Sequence, residues 1–141
     1  MLLPGLILLV MRLVLAAALI CCACRSREVP QAKPRQIGWR PVESWSGSGS
    51  TQTEPFDIGS SQWRIKWQTR SLSSSAEGTF RVVVHSAVSG REMMNAIEHR
   101  GAGSGTAYVT EDPHLFHLVI ESKDVDWSIS VEEGVVAAAP I

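Results

Sequence analysis

After Cys24 this 141-residue chain has no cysteine: all three thiols, Cys21, Cys22 and Cys24, lie in the stretch LICCAC. A disulfide framework is therefore excluded downstream, as are a thiolate nucleophile and a cysteine-based metal centre. An excess of one charge is also missing. Thirteen basic residues face 14 acidic ones, for a formal net charge of −1. That balance gives no electrostatic case for nucleic acid as a partner. Charged residues reach only 19%, below the usual quarter or so. There is no G-x-S-x-G nucleophile turn, and SGSGS at 46–50 lacks the Lys and following helix of a phosphate loop. His and Cys do not interleave at metal-ligand spacing. No helical period of useful length follows the N-terminus.

What is present begins with an apolar run, MLLPGLILLVMRLVLAAALICCACRSREVP, interrupted by Arg12. A charge at bilayer depth costs about 2.5–3.5 kcal/mol on insertion scales, which disfavours one spanning helix over the whole run. Initiation at Met11 gives a simpler reading. Met11-Arg12 is then a positive n-region, residues 13–20 are the h-region, and the cysteines stand at the cleavage site. An uncleaved helix with palmitoylated cysteines, or plain secretion, would also explain the run.

LICCAC resembles the lipobox of bacterial lipoproteins. In one frame Cys22 is the lipidated residue, with Leu19 at −3 and Cys21 at −1. In the other it is Cys24, with Ala23 at −1 and Cys21 at −3. Cys22 is the preferred site, with Cys24 and Cys21 as alternatives. The resemblance implies an exported protein anchored by lipid on the periplasmic or cell-surface side. Each buried CH₂ of an acyl chain contributes about 0.8 kcal/mol, so two or more chains hold stably.

Residues 25–38, RSREVPQAKPRQIG, carry two prolines and a basic excess. They read as a tether, stiffened by proline, after a signal segment at 1–24. From Trp39 the texture becomes short alternating runs. In QWRIKWQT (62–69), Trp63, Ile65 and Trp67 share one face. In TFRVVVHSAV (79–88), Phe80, Val82, Val84 and Ser86 fall together. DVDWSISVE (124–132) alternates most cleanly, with Val125, Trp127, Ile129 and Val131 inward. Residues 41–45, 51–58, 107–110 and 115–122 are softer strands. EMMNAIEHR (92–100) is ambiguous between helix and strand, and its neighbours favour strand. Ser89-Gly90-Arg91 and Glu111-Asp112-Pro113 are turns. The fold class is all-β: one antiparallel β-sandwich of seven or eight strands, jelly-roll-like, over 39–134, with a tail at 135–141.

The order WSGSGS, T-x-x-F, W-R-I-K-W, F-R-V-V-V, L-x-H-L-V-I and W-S-I-S-V resembles small exported β-sandwich domains of bacterial lipoproteins of uncharacterised function. It is also loosely similar to pre-peptidase C-terminal and CUB-like sandwiches. The resemblance spans about 43–133 and implies fold rather than activity. The calcium-binding acids of some CUB-like domains have no counterpart in this resemblance.

Candidate chemistry is sparse. His114-x-x-His117 on a strand splits its rings between two faces, while His117 lies in an apolar run and can face the core. His85 and His99 stand on other elements. The pairs Glu111-Asp112, Asp124/Asp126 and Glu132-Glu133 read as solvated edge charges that discourage strand pairing. Trp63, Trp67 and Trp127 belong to the core. Trp39 and Trp45 either close one end of the sandwich or lie exposed as a platform for sugar or peptide. The expectation is a non-enzymatic binding or structural module of the cell envelope, without cofactor or metal. Its partners are the membrane and an envelope protein or glycan. The alternative is a glycan- or peptide-binding module using exposed aromatics, and a hydrolase is the remaining rival. The hydrolase reading requires a nucleophile and a histidine within hydrogen-bond reach.

Overall fold

The computed structural model describes residues 35–74 and 77–137. The signal segment, Cys21, Cys22 and Cys24, residues 25–34 of the tether and 138–141 of the tail lie outside them. Among the described residues no helix is long and apolar enough to cross a membrane. These residues form two antiparallel sheets, as the alternating runs require. Sheet A has the order β1 (Ile37–Gly47), β9 (Val125–Val136), β4 (Gln62–Ser71), β7 (Gly103–Thr110). Sheet B has the order β2 (Thr51–Gln52), β8 (His114–Lys123), β5 (Thr79–Ser86), β6 (Glu92–Arg100), and β3 (Phe56–Ile58) also pairs with β8. The strands extend two residues beyond the expected limits at 39 and 134.

The core is the set of inward side chains that alternation predicts. Trp63, Ile65, Val125 and Val131 of sheet A are fully buried, as are Val82, Val84, Phe116 and Leu118 of sheet B. Trp127 is 4% exposed, and its indole N–H donates to the Gly49 carbonyl at 3.0 Å. Aromatic rings fill the centre: Trp63 lies edge-on to Phe56 at 5.7 Å and tilted against Phe116 at 5.1 Å. The Trp63 N–H is buried with no acceptor among the described residues.

Nine strands appear among the described residues instead of seven or eight. The extra one arises because 51–58 breaks at Glu54-Pro55, where proline has no N–H to give to a ladder. Thr53 maintains the contact there: its N–H donates to the Leu118 carbonyl, and its Oγ1 accepts from the Leu118 N–H. EMMNAIEHR is indeed a strand, β6, and it carries two register shifts against β5. Each bulge adds a residue and resets the alternation. Met93, Met94 and Ala96 consequently all pack against the core together with Ile97.

Two sequence expectations are corrected. His117 does not face the core. Phe116, Leu118 and Ile120 occupy the inward phase of β8, so His117 stands on the outer face of sheet B, opposite His85. Glu133 is not a solvated edge charge either. It is 4% exposed and shares the inward phase of β9 with Val131. There Arg40 and the Gly59 N–H both bond its carboxylate.

Candidate functional site

The outer face of sheet A is the candidate site, and its side chains come from four neighbouring strands. Outward positions of β4 are Arg64, Lys66 and Gln68, and those of β9 are Ser128, Ser130 and Glu132. Ser44 and Ser46 of β1 stand opposite Ser130 and Ser128. Ser104, Thr106 and Tyr108 of β7 stand opposite Gln68, Lys66 and Arg64. This register gathers hydroxyl and amide groups into rows that cross the strands.

One end of the face is aromatic. Trp39 pairs with Gly134, which has no side chain to compete for the surface. The indole comes within 5.9 Å of the Tyr108 ring, centroid to centroid and tilted by 57°. The Arg64 guanidinium lies 4.2 Å from the Trp39 ring centre, a cation–π contact. Arg64 Nε also donates to Glu132 at 2.5 Å, and Lys66 approaches the other Glu132 oxygen at 3.9 Å. Tyr108 is 60% exposed. A hollow of about 290 Å³ opens between Trp39, Gln62, Tyr108 and Thr110.

The other end is a polar trough. A cavity of about 700 Å³ is lined by Ser44, Lys66, Gln68, Ser104, Thr106 and Ser130, among others. It shares Ser46, Gln68 and Ser128 with a second hollow of about 540 Å³ that ends at Arg70 and Asp126. Arg70 and Asp126 pair at 3.3 Å. The hydroxyls of Ser44, Ser128 and Ser130 and the Gln68 amide bond to no other described residue, so they are free to meet a ligand.

Trp39 and Trp45 do not form one cluster. They are six residues apart, which on an uninterrupted strand puts them on one face. The register of β1 shifts between Pro41 and Glu43, and that bulge turns Trp45 inward. Trp45 sits opposite Ile129, packs 5.5 Å from the Phe56 ring and donates to Glu54 at 3.2 Å. Tyr108 replaces it as the second ring of the outer face. Sequence reading missed Tyr108 because GSGTAYVT carries little hydrophobic alternation. The signal available was that Tyr108 is the only tyrosine in the chain.

The histidines are also placed. His99 lies against Trp67, ring centres 4.8 Å apart, with its Nε2 3.2 Å from the Ala102 carbonyl. His114 Nε2 is 2.7 Å from Ser86 Oγ. Val88, Arg91, Met93, Glu111 and Asp112 line a cavity of about 500 Å³ beside that pair. The same Ser86 Oγ accepts the Ser89 N–H at 3.3 Å, a link that closes the β5–β6 turn. No carboxylate bonds His114 among the described residues. Burial, with help from His85, lowers the pKa of His117. The Arg40 bond, with the Gly59 N–H, holds the Glu133 carboxyl below its ordinary value despite burial.

No family model and no curated protein matches the chain. Among solved structures, the chain is similar to the CBM22-1 xylan-binding domain of Paenibacillus barcinonensis Xyn10C. The TM-score is 0.44 at 14% identity, over 76% of this chain and 99% of that one. It is also similar to the CBM22-1–GH10 modules of Clostridium thermocellum endo-1,4-beta-D-xylanase 10B, complexed with xylohexaose. There the TM-score is 0.41 at 11% identity, over 73% of this chain and 28% of that longer one.

Proposed function

We propose that the protein is an exported, lipid-tethered module that binds glycan on the outer face of sheet A without catalysing its turnover. One observation carries the reading: the Trp39–Arg64–Tyr108 cluster shares its sheet face with a trough of unengaged hydroxyls and the Gln68 amide, and Arg64 and Tyr108 stand one outward position along their strands from Lys66 and Thr106 of that trough. A sugar ring offers an apolar C–H face for an exposed aromatic and a rim of hydroxyls for Ser, Gln and Lys. Binding sites of this type combine aromatic surface with a few placed polar groups. Arg64 and Lys66 are shared with Glu132, and Arg70 with Asp126, so the face carries little net charge. A neutral polysaccharide fits that balance better than an acidic one.

The test is binding to a panel of neutral and acidic polysaccharides. Trp39→Ala and Tyr108→Ala should each weaken binding by about tenfold or more, the size of one lost stacking ring at about 1.4 kcal/mol. Binding that survives both substitutions contradicts the reading. Tethering is tested apart from it. Replacing Cys21, Cys22 and Cys24 by Ser should release the chain from membranes without detergent, and retention would favour an uncleaved helix.

A second reading rests on Ser86 and His114, whose 2.7 Å contact is the geometry a hydrolase needs. Against it, Ser86 is 3% exposed, and its hydroxyl also accepts the Ser89 N–H. Ester turnover that disappears in Ser86→Ala would favour this reading, as would labelling of Ser86 by a phosphonate.

A further inference from the structure

His85 and His117 are 32 positions apart, yet the antiparallel register of β5 and β8 sets them directly opposite each other. Both point away from the core, on the face of the sandwich opposite the glycan trough. Directly opposed residues hold their Cβ atoms roughly 4.5–5.5 Å apart. The two imidazoles follow that spacing: their centres are 5.2 Å apart and their planes only 21° from parallel.

The hydrogen bonds define which nitrogens are free. His85 Nδ1 lies 3.1 Å from the Gly90 carbonyl. A carbonyl only accepts, so in the neutral ring Nδ1 carries the proton and Nε2 is the nitrogen left to bind a metal. His117 is 8% exposed, and neither of its ring nitrogens bonds to a described residue. Yet neither is sealed from solvent, since Trp63 Nε1 is the sole such buried orphan among the described residues. An imidazole more than nine-tenths buried, unpartnered and still reachable, stands beside a second one with a free nitrogen. Val83 and Val119, the next opposed pair along these strands, flank the site with apolar surface.

We propose that His85 and His117 form a two-imidazole binding site for a divalent transition metal, copper(II) foremost, on the outer face of sheet B. Imidazole donors suit copper, nickel and zinc, and copper stands highest in the affinity order for nitrogen sites. Calcium and magnesium need oxygen ligands that this patch does not supply. No cluster of three or more His, Cys, Asp or Glu able to hold a metal occurs among the described residues. The protein therefore gives two donors, and water or an external ligand completes the coordination. Sequence spacing hid the site because the two histidines meet only through strand pairing. The inference is independent of glycan binding.

The test uses the full chain with Cys21, Cys22 and Cys24 replaced by Ser, so that thiols do not compete. Copper(II) is titrated and followed by electron paramagnetic resonance. The expected result is one copper per chain with two imidazole nitrogens in the spectrum. His85→Ala and His117→Gln should each weaken that copper by about tenfold or more, as one of two donors is lost. His99→Gln should leave it unchanged. His85 is only half-buried, so its variant keeps the test valid if replacing His117 unfolds the chain. Copper held equally by His85→Ala, or a spectrum without two histidine nitrogens, overturns the proposal.

Discussion

The two outer faces of this sandwich are built on the same strand alternation and yet differ in chemistry. On sheet A the outward positions are Ser, Thr, Gln and paired charges, with Trp39 and Tyr108 at one end. On sheet B they include Val83, Val119, Leu115 and the stacked His85–His117 pair, with Arg81 and Glu121 pairing at 2.9 Å. Sheet A therefore presents a wide, wettable trough, and sheet B a compact apolar patch with two nitrogen donors. Alternation decides which side chains leave the core. Cross-strand register decides which of them become neighbours, and so what a face can bind.

The largest expected effect comes from removing what both faces stand on. Trp127→Ala should lower stability by about 3–5 kcal/mol, the range for truncating a large buried aromatic. Chemical denaturation would measure it, and both faces should lose their binding together. A smaller effect distinguishes the interior of sheet A from its surface. Glu133→Gln should cost about 1.5–3 kcal/mol at neutral pH, as expected for hydrogen bonds to a buried charged group. Because Arg40 and Gly59 depress its pKa below the ordinary 4.5, the carboxylate contributes fully above that value. Its contribution is lost as pH falls through the depressed one. The gap between wild type and Glu133→Gln should therefore narrow in acid, and a gap independent of pH would contradict this account. At the small end, Ser128→Ala, one position along from Trp127 and exposed, should change stability by no more than about 0.5 kcal/mol. Comparable losses for Trp127→Ala and Ser128→Ala would mean the two phases of β9 are wrongly assigned.

Much of the fold was legible because β4 and β9 alternate without interruption. Trp63, Ile65, Val125, Trp127, Ile129 and Val131 all lie inward as their spacing implies. Legibility failed where a bulge resets the count. In β6 two bulges put Met93, Met94, Ala96 and Ile97 against the core, which is why that stretch also reads as a helical turn. In β1 one bulge separates Trp39 from Trp45, so half of the expected aromatic platform belongs to the core margin. The site's second ring, Tyr108, lies in a glycine- and serine-rich strand with weak patterning. The Ser86–His114 and His85–His117 contacts depend on pairing between β5 and β8, which no local spacing encodes. Glu133 read as a surface charge because its partners, Arg40 and Gly59, come from distant parts of the chain.

The central claim is that glycan lies across sheet A and not on sheet B. Amide and indole chemical shifts, followed while an oligosaccharide selected from the binding panel is titrated in, test it most directly. The account predicts movement of the Trp39 indole N–H and of backbone amides around Arg64, Lys66, Gln68, Ser128 and Ser130, with His85, His117 and Val119 unmoved. Shifts confined to β5 and β8, or no shift with any glycan of the panel, would contradict it.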